Sequence, residues 1–237
     1  KIGVILVNIN PSYRLHELKY ALNQSGCKGL VTAVKFKSSD YIGMLQTVAP
    51  ELAHCQPGQL QAAELPDLRT IIRRGDEKTA VSLNWSELMA AGDGVTAERL
   101  AEVQAEQQFD DPINIQYTSG TTGYPKGATL SHHNILNNGY LVGKIMAFSD
   151  QDRLVIPVPM YHCFGMVLGV LACVSFGAAI LFPSDAFEPE ACLAMVAEEK
   201  ATAMHGVPTM FIAELSHPNF EQYDLSTQRT GLMEGSP

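Results

Sequence analysis

From Tyr117 to Asn134 the chain reads YTSGTTGYPKGATLSHHN. Four hydroxyl side chains (Thr118, Ser119, Thr121, Thr122) and three glycines (Gly120, Gly123, Gly127) surround a single cation, Lys126. A strand that ends in glycines and opens into a helix aims free backbone N–H groups at one point. Such a concavity binds phosphate oxygens, because its donors and local dipole are already oriented. The hydroxyls can donate further bonds to a triphosphate or meet its magnesium, with Thr122 the candidate for Mg2+, and Lys126 supplies a point charge. These residue types at this spacing make chemical sense as a polyphosphate cradle. A flexible surface loop is the competing reading.

Two familiar phosphate-binding patterns are excluded by spacing. The G-x-x-x-x-G-K-[ST] loop needs Gly before its Lys and a hydroxyl after it. Here Pro125 precedes Lys126 and Gly127 follows. A G-x-G-x-x-G dinucleotide fingerprint is missing its first glycine. A kinase or other phosphotransferase of the first type is therefore disfavoured.

The elements that must hold this stretch follow from periodicity. After the turn signal Asp110–Asp111–Pro112, PINIQYTS has strand pattern. Ser131 predicts the N-cap of a helix over His132 to Ala147, with Ile135, Val142 and Ile145 on its apolar stripe. Upstream, IGVILVNI reads as a strand. The segment SYRLHELKYALNQSG is a helix with Leu15, Leu18 and Leu22 on one face and Gly26 as its stop, and KGLVTAV is a second strand. That order predicts a βαβ unit. Tyr41–Val48 reads as a helix, Arg69–Arg74 as a strand, and Gly75–Gln108 as a polar connection with helical pieces. Downstream come a strand in DRLVIPVPM, a helix over Glu188–Lys200, a strand in ATAMHG and a helix over Pro208–Leu215. The fold class expected is α/β, with mostly parallel β-sheets covered by helices.

Bulk properties narrow the function classes. The 237 residues are 46% hydrophobic and 17% charged, with a net charge of -9. No basic run or basic amphipathic helix is present, which argues against nucleic acid and anionic membranes as partners. The five cysteines are never closer than the ten positions from Cys163 to Cys173, so C-x-x-C metal or redox spacing is missing and reduced thiols are expected. Cys163 to Ser184 has no charged residue and reaches the length of a membrane span. Gly177 interrupts it and no Lys or Arg flanks it, so a buried helix followed by an interior strand is expected in place of a span.

The string YTSGTTGYPKG resembles the signature loop of the AMP-forming adenylating superfamily, which includes acyl-CoA synthetases, luciferases and peptide-synthetase adenylation domains. VNINPSYRLHELKYAL, VPMYHCFGM, GVPTMFIAEL and RTGLMEGSP resemble further segments of that family, in its order. Together they look most like the mitochondrial medium-chain acyl-CoA synthetases. The resemblance implies that residues 1–237 are a fragment of the large N-terminal domain of the luciferase-like fold. Residues 1–108 would form its first βαβ portion and a polar connection, and 109–237 its phosphate-loop and acyl-pocket portion. The small C-terminal domain, the hinge and the YGxTE-like motif would lie outside the chain.

The same resemblance implies the chemistry. A fatty, medium-chain carboxylic acid is activated by ATP to acyl-AMP and pyrophosphate, and coenzyme A then takes the acyl group. Thr118, Ser119, Gly120, Thr121, Thr122, Gly123, Tyr124, Pro125 and Lys126 become the ATP-binding stretch. Lys126 and the loop amides would stabilise the departing pyrophosphate. Tyr124 occupies a variable position of the motif and receives no role of its own.

His162 would border the acyl pocket, or be a histidine hydrogen-bonded beside a helix start. Gly165 and Gly169 would leave room for an apolar chain, or permit tight packing. His205 could belong to core or pocket wall, while neighbouring His132 and His133 face different directions and do not make a metal pair. Gly235, Ser236 and Pro237 match the start of a family loop near adenine. No Asp or Glu lies between Met160 and Phe182 to pair an ammonium, which favours a hydrophobic acid over an amino acid.

Location would be the mitochondrial matrix, with cytoplasm as the alternative. The 237 residues alone are expected to be inactive. A non-catalytic nucleotide-binding module, or an adenylating enzyme for another carboxylic acid, are the alternatives.

Overall fold

The computed structural model describes residues 1–118 and 124–235. These form two compact units, Lys1–Leu130 and Ser131–Pro237.

In the first unit, strand β1 (Leu6–Asn8) is followed by helix α1 (Leu15–Gln24) and strand β2 (Gly29–Thr32). A two-residue hairpin, β3 (Lys35–Phe36) with β4 (Ser39–Asp40), leads to α2 (Tyr41–Val48). Then come β5 (Thr70–Arg73), α3 (Trp85–Ala91), α4 (Ala97–Glu106), β6 (Pro112–Thr118) and β7 (Lys126–Ser131). One sheet has the order β1-β6-β7, and β2 pairs in parallel with β5 in another.

The expected βαβ unit is therefore not formed, since β1 and β2 belong to different sheets. The backbone of β1 is taken by β6, in register Leu6↔Asn114, and the Asn114 side-chain amide also donates to Leu6 O at 3.0 Å. The strand is also shorter than IGVILVNI suggests. Gly3 has φ +67°, which breaks the extended run, and Ile2, Val4 and Ile5 are exposed. Helix α1 keeps its predicted apolar face: Leu18, Ala21 and Leu22 are buried, and the two leucines join Leu45, Leu60, Leu68 and Ile71 in the core of this unit. Leu15 sits at the exposed rim of that face. Gly26, at φ +62°, ends the helix as its sequence position predicts.

The second unit begins with α5 (His132–Ile145), whose N-cap Ser131 accepts from Asn134 N–H. Strand β8 (Arg153–Val155) precedes a π-helix over Phe164–Leu171 that continues as α6 (Ala172–Phe176). Gly177 closes that helix at φ +73°, and β9 (Ala179–Leu181), α7 (Pro189–Glu199), β10 (Ala203–Gly206), α8 (Pro208–Leu215) and β11 (Thr230–Met233) follow. The sheet order is β11-β10-β8-β9, parallel throughout. Among the described residues no helix is long and apolar enough to cross a membrane, and the uncharged run is instead a helix followed by β9, which lies at the edge of its sheet and is half-buried where an interior strand was expected.

The buried face of α5 differs from the predicted stripe. Ile145 is 84% exposed, while Gly139 and Gly143 are buried. A Cβ at Gly139 would lie 2.9 Å from Leu171 Cβ and 3.0 Å from Val167 O, and one at Gly143 2.6 Å from the Phe176 ring. Two glycines one turn apart let the backbone of α5 approach the neighbouring helix. Hydrophobicity ranking misses such a face.

The end of α5 is held by a polar network. Arg229, just before β11, donates to Met146 O and Ala147 O, and its Nε and a terminal NH2 reach the two oxygens of Asp152 at 2.9 and 2.6 Å. Thr202 Oγ1 and the backbone N–H of Ser149 donate to the same carboxylate. Ala147 is thereby held at φ +53°, an uncommon conformation for a residue with a Cβ. Burial opposes ionisation of Asp152, but the Arg229, Thr202 and Ser149 bonds outweigh it and hold the carboxyl well below the usual carboxylate range.

A carboxyl depressed in the folded state contributes stability above its unfolded value, near ~3.9, and loses it in acid. Arg229→Ala leaves that carboxylate buried without its countercharge and is expected to cost about 3 kcal/mol at neutral pH. The gap from wild type should narrow progressively as pH falls below ~4. Urea unfolding at several pH values measures both.

Candidate functional site

The polyphosphate loop joins two strands that neighbour each other in one sheet. Thr118 is the exposed last residue of β6 and Lys126 the exposed first residue of β7. The expectation that the loop opens directly into a helix is thus corrected. Strand β7 intervenes, and α5 starts only at His132. Any cradle here relies on the loop's own amides, hydroxyls and Lys126, without the dipole of a helix N-terminus. Ser119, Gly120, Thr121, Thr122 and Gly123 lie outside the described residues, as do Ser236 and Pro237. Lys126 pairs with no carboxylate among the described residues, so its ammonium is available to an anion.

Both flanks of the loop touch α1. Tyr117, one residue before Thr118, donates its hydroxyl to Ala21 O at 3.1 Å. Burial raises the Tyr117 pKa, so that proton stays in place at neutral pH. On the far flank, the Tyr124 ring stacks on Tyr20 with centroids 4.9 Å apart, and lies 5.6 Å from the His16 ring. Pro125 is half-buried and Gly127 packs tightly, since a Cβ there would meet Ile115 at 3.0 Å and the Tyr117 ring at 3.4 Å. Sequence reading found the loop but gave Tyr117, Tyr20 and His16 no part in it. The i, i+4 spacing of His16 and Tyr20, on the side of α1 away from Leu18 and Leu22, was the available signal.

The other singled-out residues fall in the second unit. His162 is exposed, and its Nδ1 accepts from Phe164 N–H at 3.2 Å, so it bonds the start of the π-helix. At Gly165 a Cβ would lie 2.5 Å from Pro159 O and 3.0 Å from Val158 O, and at Gly169 2.8 Å from Ile156 Cδ1. Both glycines let the π-helix press against the segment that continues β8. A π-helical turn is uncommon and often marks a functional region.

His205 is fully buried, its Nε2 3.0 Å from Leu168 O and its ring stacked on Phe164 at 5.4 Å. Burial lowers its pKa, so the imidazole is neutral at neutral pH and Nε2–H donates. Its Nδ1 has no hydrogen-bond partner among the described residues. Sequence reading passed over Glu214, a buried carboxyl on α8. Burial pushes it up to about 7, with the Cys192 thiol as its partner. His132 and His133 are both exposed, and no group of three or more His, Cys, Asp or Glu is arranged to hold a metal among the described residues.

Against known proteins, the sequence profile of the family described as AMP-binding enzyme matches residues 1–237. The chain belongs to the AMP-binding enzyme family. The YngI protein of Bacillus subtilis (strain 168), whose name places it with the acyl-CoA synthetases, is 47% identical over 237 residues, covering 100% of this chain and 43% of its own length. Medium-chain acyl-CoA ligase ACSF2, mitochondrial, of Danio rerio is 43% identical, over 100% of this chain and 39% of its own. The chain thus spans about two fifths of the length of these curated relatives. In fold it is similar to the anthranilate CoA ligase AuaEII solved with anthranoyl-AMP, with a TM-score of 0.76 and 22% identity over 98% of this chain and 41% of that one. The parallel sheets and covering helices are therefore similar in fold to those of that solved enzyme.

The packing at Gly165 has a direct test. Gly165→Ala forces a methyl group against backbone carbonyls that cannot rotate away, and a loss of about 1 to 3 kcal/mol in unfolding free energy is expected. Denaturant titration measures it. A neutral effect would show that the helix can shift freely there.

Proposed function

We propose that the whole protein is an ATP-dependent, AMP-forming acid–thiol ligase acting on a fatty acid of medium chain length. The observation that bears most weight is the loop itself: YTSGTTGYPKG set between β6 and β7, with Lys126 exposed at its exit and paired with no carboxylate among the described residues. A carboxylate oxygen of the acid attacks the α-phosphorus of ATP. The bond from that phosphorus to the bridging oxygen breaks, and the electron pair leaves with pyrophosphate. Lys126 and the loop N–H groups, from Thr118 through Tyr124, stabilise that departing charge. Such chemistry depends on placement and electrostatics, so no protein nucleophile is required. The coenzyme A thiolate then attacks the acyl carbon, the bond to AMP breaks, and the thioester leaves.

Magnesium fits this donor set only as a passenger of the triphosphate, because hydroxyls surround the loop and the described residues hold no metal cluster. Thr122 would be its protein contact, and the charge it neutralises is that of the phosphates.

A fatty acid is supported by the uncharged stretch Met160–Phe182, which offers no carboxylate for the ammonium of an amino acid. His162 and Gly165 stand at the start of that stretch and are the proposed border of the acyl pocket. The ACSF2 names support medium chain length and a mitochondrial location, while the Bacillus relative supports the cytoplasmic alternative. With two fifths of a relative's length, the 237 residues alone are proposed to form no thioester.

The test is pyrophosphate release by the full-length protein with ATP and a panel of acids. Octanoate-like acids should support turnover and amino acids should not. Lys126→Ala should slow release about 100-fold, the scale of losing one donor to a developing anion. A substituted protein at full rate would remove Lys126 from the mechanism, and activity confined to amino acids would overturn the substrate class.

A further inference from the structure

The geometry points to His205 as a positioning residue for the acid substrate, acting through the π-helix by taking a carbonyl that the π turn passes over. This inference rests on the proposed function, because Gly165 in that helix and His162 just before it are the proposed border of the acyl pocket.

In an α-helix the N–H of Ala172 would bond the carbonyl four residues back, that of Leu168. Here Phe164–Leu171 is π-helical, and Ala172 N–H goes to Val167 O and Gly169 O instead. Leu168 O lies between those two and is passed over. It accepts from Nε2–H of His205 at 3.0 Å, a side chain on β10. A shielded carbonyl without a donor costs about as much as a lost hydrogen bond. His205 supplies the donor from outside the helix, so the π turn leaves Leu168 O satisfied.

The same ring is stacked on Phe164, with centroids 5.4 Å apart, so one side chain grips the π-helix at its first residue and again four residues on. The grip comes from a fixed base. His205 is fully buried, and β10 lies inside its sheet between β11 and β8, with His205 in register with Leu232. Burial favours the neutral imidazole that this bond needs, with the proton on Nε2.

The consequence is a choice between two windings. Without the His205 donor, the nearest replacement for Leu168 O is Ala172 N–H, the ordinary i→i+4 bond. Making it tightens the turn from π to α. About one residue of winding, roughly 100° of rotation and about 1.5 Å of rise, then passes to the residues on the N-terminal side. Gly165 would lose its close fit against Pro159 O and Val158 O, and His162 would be aimed elsewhere. A border set this way governs how the acid is held and leaves the nucleotide loop of the first unit alone.

Full-length wild type is compared with His205→Leu, which has neither ring nor donor, His205→Phe, which keeps the ring, and His205→Gln, which keeps an amide donor. KM is measured for octanoate and for ATP in pyrophosphate release, and hydrogen exchange is followed by mass spectrometry over residues 164–172. The Leu and Phe variants should exchange about tenfold faster in that segment, the scale of one orphaned acceptor. Their KM for octanoate should rise about five- to tenfold while KM for ATP stays within about twofold, a split that a smaller folded fraction does not produce. His205→Gln should recover most of both losses.

An unchanged octanoate KM in the Leu and Phe variants, equal rises in both KM values, or a Gln variant no better than Leu would each overturn the positioning role. Failure of both donor-less variants to fold would assign His205 to the core alone and overturn it too. A wild type that releases pyrophosphate with no fatty acid overturns the proposed function and this inference together. An active wild type beside kinetically unaffected variants overturns the role of His205 alone.

Discussion

The parallel ladder between β1 and β6 is the constraint on which the first unit depends. It joins Leu6 to Asn114, residues 108 positions apart, and the Asn114 amide adds a side-chain bond to the same carbonyl. Closing so long a loop costs entropy that grows slowly with length, so the main burden is forming the pairing at all. Once formed, it lays the first turn of the fold beside the strand that enters the phosphate loop. Helix α1, which follows β1 directly, then lies within reach of Tyr117 and Tyr124. The intervening residues build their own layer, where β2 and β5 pair over the leucine-rich core.

In the second unit, glycine sets the geometry. Gly139 and Gly143 bring α5 against the π-helix and α6, and Gly165 and Gly169 bring the π-helix against the segment following β8. Each removes a Cβ that would otherwise sit within 3 Å of a neighbour. The stretch proposed to face the acid is thus held by close backbone approach on two sides. A wide bore at these glycines is not what they provide.

Local signals were read correctly and distant pairings were not. Ser131 as a cap, Gly26 and Gly177 as stops, Pro208 at the first turn of α8 and the apolar face of α1 all follow from a few neighbouring residues. The loop was legible because its hydroxyls, glycines and lysine lie within one short string. The separation of β1 and β2 into two sheets was not, because strand pattern does not name a partner. Nor was the network of Asp152 with Arg229, which are 77 positions apart and look like ordinary surface charges in sequence. The stripe on α5 holds only in part: Val142 packs against the core of the second unit, but Ile145 is exposed and the closest backbone approach is made at Gly139 and Gly143, which an apolar count passes over. Strand β7 was missed because KGATLS carries little of the apolar alternation that marks a half-buried strand.

The thiols give the second unit a property of their own. All five cysteines are free, but Cys173 and Cys192 are fully buried, and burial pushes both thiols up to about 12, helped by Asp152 near the first and Glu214 near the second. Only thiolate reacts with an alkylating reagent, so at neutral pH these two are silent while the unit is closed. Their modification marks an excursion that exposes the space beneath α6 and α7. The chain therefore contains an intrinsic chemical clock for the opening of one half, read without a probe having to be built in.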